Sequence, residues 1–321
     1  MSATASPDTL RVIVFEGVQN LALYAAQAQG RFAAHGLDVQ LSFTPNSWTL
    51  RDGLQQGSYD IAHTAVDNAI AMVELAGADV AVVMGGDNGF NGVYVQPDIA
   101  DIAALRGRTV LVDAPNTAFA LVLYRILSQH GMERSRNDYV VKSVGATPLR
   151  LAALLEPSPP DQPKYAGAIL NLPYRIQAER AGLRCLGEAV DLVGPYLSTA
   201  GFVMRPWAQA NAEVLQRYIR AYVEGLRWAL DPAHRDAAID LLGERLKLPR
   251  DMAEACYAIA ADPVNGLARD AAIDLAGLAN VLNIRAVVEG AWDGKPPSTD
   301  RYVDTRHWMQ ALQSMHLQDH R

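Results

Sequence analysis

The sequence predicts an α/β fold in which mostly parallel strands are covered by helices, with a helical C-terminal portion. Short apolar runs of strand length alternate with segments of helical periodicity from about residue 10 to about residue 181. This alternation is typical of βαβ units, whose strands lie parallel in one sheet. From Pro206 onward the predicted elements are almost all helices. The chain of 321 residues is long enough for two domains.

The predicted strands are short runs that are either continuously apolar or alternate between apolar and polar residues. A continuously apolar run such as 80–84 (VAVVM) indicates a strand that is buried on both faces. In chain order the predicted strands are 10–15, 39–43, 59–62, 80–84, 92–95, 108–112, 139–143 and 167–170.

The predicted helices carry apolar residues three or four positions apart, and several of them end at a glycine. The first predicted helix, 21–35, is rich in alanine and ends at Gly36. The others, in chain order, are 49–56, 67–76, 117–130, 147–155, 174–181, 208–229, 233–246, 250–260, 268–288 and 306–317.

Two glycines are the best candidates for the boundaries between lobes. Gly92 and Gly201 each lead into an apolar, strand-like run. If the chain leaves the first lobe near Gly92 and returns near Gly201, lobe one is discontinuous and comprises residues 1–91 plus 201–321. Lobe two then comprises residues 92–200.

Composition and charge exclude several classes of function. The 28 Lys and Arg against 35 Asp and Glu give a net charge of −7, and there is no long basic run, so nucleic acid is not an expected partner. No stretch approaches the roughly 20 apolar residues that span a membrane. Cys185 and Cys256 fit neither a zinc site nor a disulfide framework. Since phosphate-binding loops and metal-ligand spacings are also missing, we expect no cofactor and no metal.

The first ten residues, MSATASPDTL, lack the basic start and the apolar stretch of about 7–15 residues of a secretory signal. Two alternatives follow. A periplasmic location is expected if a native signal peptide was removed, and a cytoplasmic location is expected if Met1 is the native start.

Four segments carry a resemblance to a known family. They are EGVQNLALYAAQAQGRFAAHGLDVQLSF (16–43), LQQGSYDIAHTAVDNAIA (54–71), DIAALRGRTVLVDAPNTAFALVLYRIL (101–127) and AGAILNLPYRIQAERAGLRCLGEA (166–189). In order and spacing, the chain resembles type II periplasmic substrate-binding proteins of the sulfonate, nitrate and thiamine-precursor group from about residue 10 to about residue 310. The resemblance implies two lobes that close by hinge bending on a small ligand held in the cleft between them. It also implies an ABC permease as a partner.

Candidate ligand contacts in lobe one follow the ends of predicted strands, where ligands of parallel sheets bind. They are Phe15, Gln19, Asn20, Ser47, Trp48, His63, Thr64 and Asn88. Amides such as those of Gln19 and Asn20 suit an amide, carboxylate or sulfonate ligand. Purely structural roles stay open: Asn20 and Ser47 are also typical helix caps, and Asn88 is typical of a turn.

His63 and Asp67 are four residues apart, which on a helix places them on one face. A carboxylate in that position could orient the imidazole, as in a catalytic site. The resemblance implies instead that this position faces the ligand. A histidine that is merely hydrogen-bonded at a helix start is an equal alternative.

Candidate contacts in lobe two also lie after strands or at helix starts, where free backbone N–H groups can bind anions. They are Asn116, Thr117, Thr147, Asn171 and Tyr174. Asn116 is equally a capping residue. The loops that hold the candidates of both lobes contain no Arg or Lys, so the predicted ligand is neutral, aromatic or monoanionic.

Three functions remain open from the sequence. The leading hypothesis is a non-catalytic binding protein that delivers a small organic solute to an ABC importer. The alternative is a signal-less cytoplasmic enzyme on the same scaffold, a lyase, decarboxylase or hydrolase that acts on a small aromatic or heterocyclic acid through His63 and Asp67. A binding module that senses a metabolite inside the cell is the third. Fold analogy alone does not separate them.

Overall fold

The computed structural model describes residues 6–157 and 164–319, which form two compact units. The first unit contains the described residues up to Asp87, then Ser198–Ile273, and the described residues from Thr299 onward. The second unit contains the described residues of Asn88–Leu197 together with Asp274–Ser298. Within these ranges, no helix is both long and apolar enough to cross a membrane.

The ten strands of the described ranges are short. In chain order they are β1 (Asp8–Val14), β2 (Leu37–Phe43), β3 (Ile61–Ala65), β4 (Val80–Asp87), β5 (Gly92–Val95), β6 (Thr109–Val112), β7 (Val140–Ser143), β8 (Gly167–Leu170), β9 (Arg184–Glu188) and β10 (Thr199–Met204).

Fourteen helices are found in the same ranges, besides short 3₁₀ turns. They are α1 (Leu21–Ala28), α2 (Arg31–Ala34), α3 (Ser47–Gln55), α4 (Asp67–Ala76), α5 (Ala118–Gln129), α6 (Thr147–Leu155), α7 (Tyr174–Arg180), α8 (Ala189–Val193), α9 (Arg205–Ala210), α10 (Ala212–Leu230), α11 (Arg235–Leu246), α12 (Arg250–Ala260), α13 (Leu275–Glu289) and α14 (Arg306–Asp319).

The first unit is built on a five-stranded sheet with the strand order β2-β1-β3-β10-β4. β1 pairs in parallel with β2 and with β3, whereas β10 is antiparallel to both of its neighbours. Every residue of β4 is buried, which agrees with the prediction from the continuously apolar run 80–84. The carboxyl ends of β1, β2 and β3 therefore lie at one edge of this sheet.

Small residues allow α1 and α10 to pack closely in the first unit. A Cβ placed on Gly225 of α10 would lie 2.6 Å from the carbonyl oxygen of Ala22 and from the amide nitrogen of Ala26. The Ala-rich sequence of α1, which predicted a buried helix, thus has a packing role.

The second unit has its own five-stranded sheet, with the strand order β7-β6-β8-β5-β9. β6 is parallel to β7 and β8, and β5 is antiparallel to β8 and β9. Its core contains Tyr94, Leu111, Leu151, Leu154, Ala168, Leu170, Ala178 and Leu183. The carboxyl ends of β6, β7 and β8 again meet at one edge.

Three predicted helices differ from the structure. The helix predicted over 21–35 is divided into α1 and α2 because Gly30 adopts a left-handed conformation, with φ of 65°. The helix predicted over 208–229 is two helices that meet at Asn211, and the one predicted over 268–288 begins only at Leu275, where Asp274 caps it. β9 and α8 had no predicted counterpart.

Besides small shifts at both predicted boundaries, one long segment of the predicted lobe one lies in the second unit. Residues 274–298 were assigned to lobe one because they follow the predicted return of the chain at Gly201. In the structure α13 packs against α5, and the Asn280 amide donates to the carbonyl oxygens of Val193 and Pro195, both at 2.8 Å. These contacts tie the segment to the second unit.

Candidate functional site

The loop after β1 brings three of the predicted residues together. The Phe15 carbonyl oxygen accepts hydrogen bonds from the Gln19 amide nitrogen at 3.1 Å and from the Asn20 amide nitrogen at 2.7 Å. The Asn20 amide nitrogen also lies 3.4 Å from the Tyr24 hydroxyl. Both side-chain NH₂ groups therefore donate a hydrogen bond within the protein.

Asn20 does not cap α1 with its side chain, although it occupies the N-cap position. The residue is 1% exposed, and its Oδ1 has no hydrogen-bond partner within residues 6–157 and 164–319. Buried polar atoms are nearly always paired, so this oxygen marks a position where a partner group is expected.

After β2, helix α3 begins at Ser47 and is capped by Asn46, whose side chain accepts a hydrogen bond from the Thr49 amide at 2.8 Å. The alternative in which Ser47 caps this helix is therefore wrong. Trp48 is 56% exposed, and the Arg51 guanidinium lies 5.6 Å from the centre of its ring. Arg51 is buried and donates from Nε to the Asn68 side chain at 2.7 Å.

The strand β3 extends beyond its predicted end and contains both His63 and Thr64. The predicted strand ended at residue 62, and His63 and Asp67 can share a helix face only if residues 63–67 form a helix. The predicted shared face is wrong, because His63 lies in a strand and Asp67 begins α4. Thr64 is buried and pairs with Ala200 of β10.

His63 packs into the core of the first unit. Its Nε2 lies 2.8 Å from the Tyr218 hydroxyl, and its ring stacks on Tyr222 with 5.0 Å between centroids. Burial lowers the pKa of His63 to about 3, which keeps the imidazole neutral. The arrangement is that of a packed aromatic cluster on α10.

In the second unit, Asp113 and Thr117 meet between β6 and α5. The Thr117 hydroxyl is hydrogen-bonded to the Asp113 carboxylate and lies 2.9 Å from the carbonyl oxygen of Ala114. Thr117 occupies the N-cap position of α5 without a side-chain capping bond, and Asn116 precedes it, half-buried. The predicted anion site at this helix start therefore contains the carboxylate of Asp113, which only accepts hydrogen bonds.

Arg150 joins the three parallel strand ends of the second unit. It donates to the Gly145 carbonyl at 2.7 Å, to the Thr147 hydroxyl at 3.0 Å and to the Ile169 carbonyl at 3.2 Å. Its guanidinium also lies 4.0 Å from Asp113, and its side chain is 2% exposed. Burial lowers the pKa of Arg150 below its usual value, while the charge of Asp113 opposes that shift.

The remaining predicted residues flank these groups. Asn171 follows β8, and its Oδ1 is buried without a partner in the described part of the chain. Tyr174 begins α7, after a cis peptide bond between Leu172 and Pro173. Asn88 directly follows β4 and is half-buried.

Sequence reasoning missed two of the buried arginines, Arg51 and Arg150, which lie near the strand ends. Only loop residues were searched for positive charge, and both arginines lie about one turn inside helices. A search for Arg three or four residues after a polar helix start would have found them, because such residues share a helix face. Among the described residues, no group of three His, Cys, Asp or Glu side chains could hold a metal ion.

A family model matches part of this chain. Residues 18–156 match the family model described as NMT1/THI5 like. The predicted family resemblance is confirmed. A search of curated protein sequences gives no match to this chain.

Solved structures give the fold of this chain. A protein from Bordetella bronchiseptica RB50 has a TM-score of 0.80 at 19% identity, covering 98% of this chain and 100% of that one. The periplasmic nitrate-binding protein NrtA from Synechocystis PCC 6803 has a TM-score of 0.76 at 14% identity, covering 97% and 90%. The periplasmic aliphatic sulphonate binding protein SsuA from Escherichia coli has a TM-score of 0.71 at 19% identity, covering 95% and 100%. The fold is therefore the two-lobed fold of type II periplasmic binding proteins, as predicted.

Proposed function

We propose that this protein is the solute-binding component of an ABC importer and acts in the periplasm. Its ligand would be a small organic solute that is neutral, aromatic or monoanionic. The observation that carries this proposal is the concentration of buried polar side chains at the carboxyl-end edge of each unit's parallel strands, on a fold whose solved relatives include NrtA and SsuA. In parallel sheets that edge is the usual ligand position.

In the first unit, the supporting residues are Phe15, Gln19, Asn20, Ser47 and Trp48. Asn20 Oδ1 is buried without a partner among the described residues, which supports contact with a bound group. The exposed ring of Trp48 offers an apolar wall for an aromatic or aliphatic solute. His63 and Thr64 are buried in β3, so they would support the loop residues of this edge from the protein interior.

In the second unit, the supporting residues are Asn116, Thr117, Thr147, Asn171 and Tyr174, with Asn88 at the start of the unit. Arg150 holds Thr147 and the end of β8 in fixed positions through its three hydrogen bonds. A site that is already rigid loses less entropy when it binds a solute.

The alternative enzyme that uses His63 receives no support from the geometry. A general base needs a pKa near the working pH and access to a substrate proton. Burial lowers the pKa of His63 to about 3, and Tyr218 occupies its Nε2.

A thermal-shift screen on ligand-stripped protein tests the proposal. The panel would contain sulfonates, carboxylates, carboxamides, pyrimidines and aromatic acids, together with EDTA and ATP as controls. A solute present at 100 times its Kd stabilises the folded protein by about 2.7 kcal/mol, which raises the melting temperature measurably. If no solute class changes the melting temperature, the proposal fails.

A matched pair of variants tests the contribution of the second unit with the best solute of the screen. Thr147→Val keeps the shape of the side chain and removes its hydroxyl. Thr9→Val makes the same change at the exposed start of β1, at the opposite end of the strand from Phe15. We expect Thr147→Val to weaken binding several-fold. Thr9→Val should leave the affinity unchanged.

A further inference from the structure

We propose that the solute recognised at the loop after β1 is a hydrogen-bond donor, namely a neutral compound with N–H groups such as a carboxamide or an amino-substituted heterocycle. This inference rests on the proposed function and narrows it. It separates the ligand of this chain from oxyanions such as sulfonate and nitrate, which carry no donor.

The orientation of the Asn20 amide is fixed by its neighbours. A backbone carbonyl oxygen only accepts hydrogen bonds, so the group 2.7 Å from the Phe15 oxygen must be the NH₂ end of the side chain. The carbonyl end, Oδ1, is thereby turned away from Phe15. It is buried and lacks a partner in the described ranges.

Gln19 has the same orientation for the same reason. Its Nε2 lies 3.1 Å from the Phe15 oxygen, so its Oε1 is the end that remains for other partners. This oxygen lies over Gly17, because a Cβ placed on Gly17 would come within 2.2 Å of it. One carbonyl oxygen therefore orients two amides, and both offer acceptors.

The third polar side chain of this loop is also an acceptor. Glu16 is exposed, and an ionised carboxylate accepts hydrogen bonds without donating any. The loop thus offers oxygen from Glu16, Gln19 and Asn20. From these three side chains, an oxyanion would receive no hydrogen bond, and the carboxylate of Glu16 would repel it.

The buried Arg150, near the strand ends of the second unit, already has partners for its donors and its charge. Arg150 directs its donors at Gly145, Thr147 and Ile169 and lies 4.0 Å from the Asp113 carboxylate. Its charge is thus compensated inside the unit. A solute with N–H groups would pair Asn20 Oδ1 without requiring a counter-ion.

Calorimetric titration of the ligand-stripped full chain with isosteric solutes tests this inference. The series are benzamide, benzoate and benzenesulfonate, and nicotinamide, nicotinate and pyridine-3-sulfonate, with nitrate added. Only the carboxamide of each series carries N–H donors. We expect each carboxamide to bind at least about tenfold more tightly than its carboxylate and sulfonate counterparts.

Two results overturn the inference, and they differ in what they say about the proposed function. If a carboxylate, a sulfonate or nitrate binds as tightly as the carboxamides or more tightly, the donor preference is wrong while solute binding stands. If none of the solutes binds, here or in the wider thermal-shift panel, both the inference and the proposed function fail.

Variants with matched controls test whether the preference for donor solutes arises in the loop after β1. Asn20→Leu and Gln19→Met remove the acceptors while roughly keeping side-chain size. Asn211→Leu removes an amide that likewise donates to a nearby carbonyl, that of Trp207 at 3.0 Å, and Gln216→Met repeats the glutamine change on α10. We expect the first pair to lower the ratio of nicotinamide to nicotinate affinity by about tenfold and the controls to preserve it. If Asn20→Leu does not fold, Gln19→Met alone must lower the ratio, and an unchanged ratio contradicts the inference.

Discussion

Replacing His63 should change how the stability of the protein depends on pH. Burial lowers the pKa of His63 to about 3 in the folded protein, against 6.5 for an exposed histidine. Below pH 6.5 the unfolded chain therefore takes up a proton at this residue that the folded protein does not. The stability contribution is fully present above pH 6.5 and is lost as the pH falls toward 3. Linkage puts the loss between pH 7 and pH 5 at about 2 kcal/mol.

Urea unfolding of the wild type and of His63→Gln at pH 7, 6 and 5 measures this contribution. Since glutamine does not titrate, the stability advantage of the wild type should shrink by about 2 kcal/mol between pH 7 and pH 5. Tyr218→Phe is the matched control: it removes the hydroxyl 2.8 Å from Nε2 and leaves the imidazole buried, so the steep pH dependence should persist. Parallel curves for the wild type and His63→Gln would refute the burial argument.

Three further variants test the packing and the charges. Arg150→Met should lose about 3–5 kcal/mol of unfolding free energy because it leaves buried acceptors without their donor and Asp113 without its positively charged neighbour. The surface variant Arg108→Met should lose less than about 1 kcal/mol, and equal losses would contradict the role of Arg150. Asp304→Asn should destabilise the protein at neutral pH only. The Arg306 hydrogen bonds lower the pKa of Asp304 in the folded protein, so the stability that the carboxylate contributes is present above pH 3.8 and is lost as the pH falls through the lowered folded value. A loss of unfolding free energy that does not change with pH would contradict this expectation. Gly225→Ala should cost about 1–3 kcal/mol by thermal unfolding, since its Cβ meets the backbone of α1, and an unchanged melting temperature would refute that close contact.

Most of the strand positions could be predicted from sequence, because a buried strand needs a short apolar run and little else. The all-buried β4 is an example. Helix continuity was predicted less well, since a single left-handed residue such as Gly30 divides a helix whose apolar spacing continues. The placement of α13 depended on tertiary packing against α5, which local periodicity does not encode.

For the candidate site, the positions of residues were predicted better than the directions of their side chains. Strand ends located Gln19, Asn20 and Thr147 correctly at sheet edges, since those positions follow from chain order. The directions of the side chains could not be predicted from chain order. His63 turns toward α10 because the strand continues past residue 62, and Arg150 reaches the strand ends from within a helix.

Calorimetric titration of the ligand-stripped full chain with the best solute of the thermal-shift screen is the decisive measurement of solute binding. We expect saturable binding of one solute per chain. Thr147→Val should weaken this binding, and Thr9→Val should leave it unchanged. Heats that never saturate with any solute class would show that the protein is not a solute-binding component.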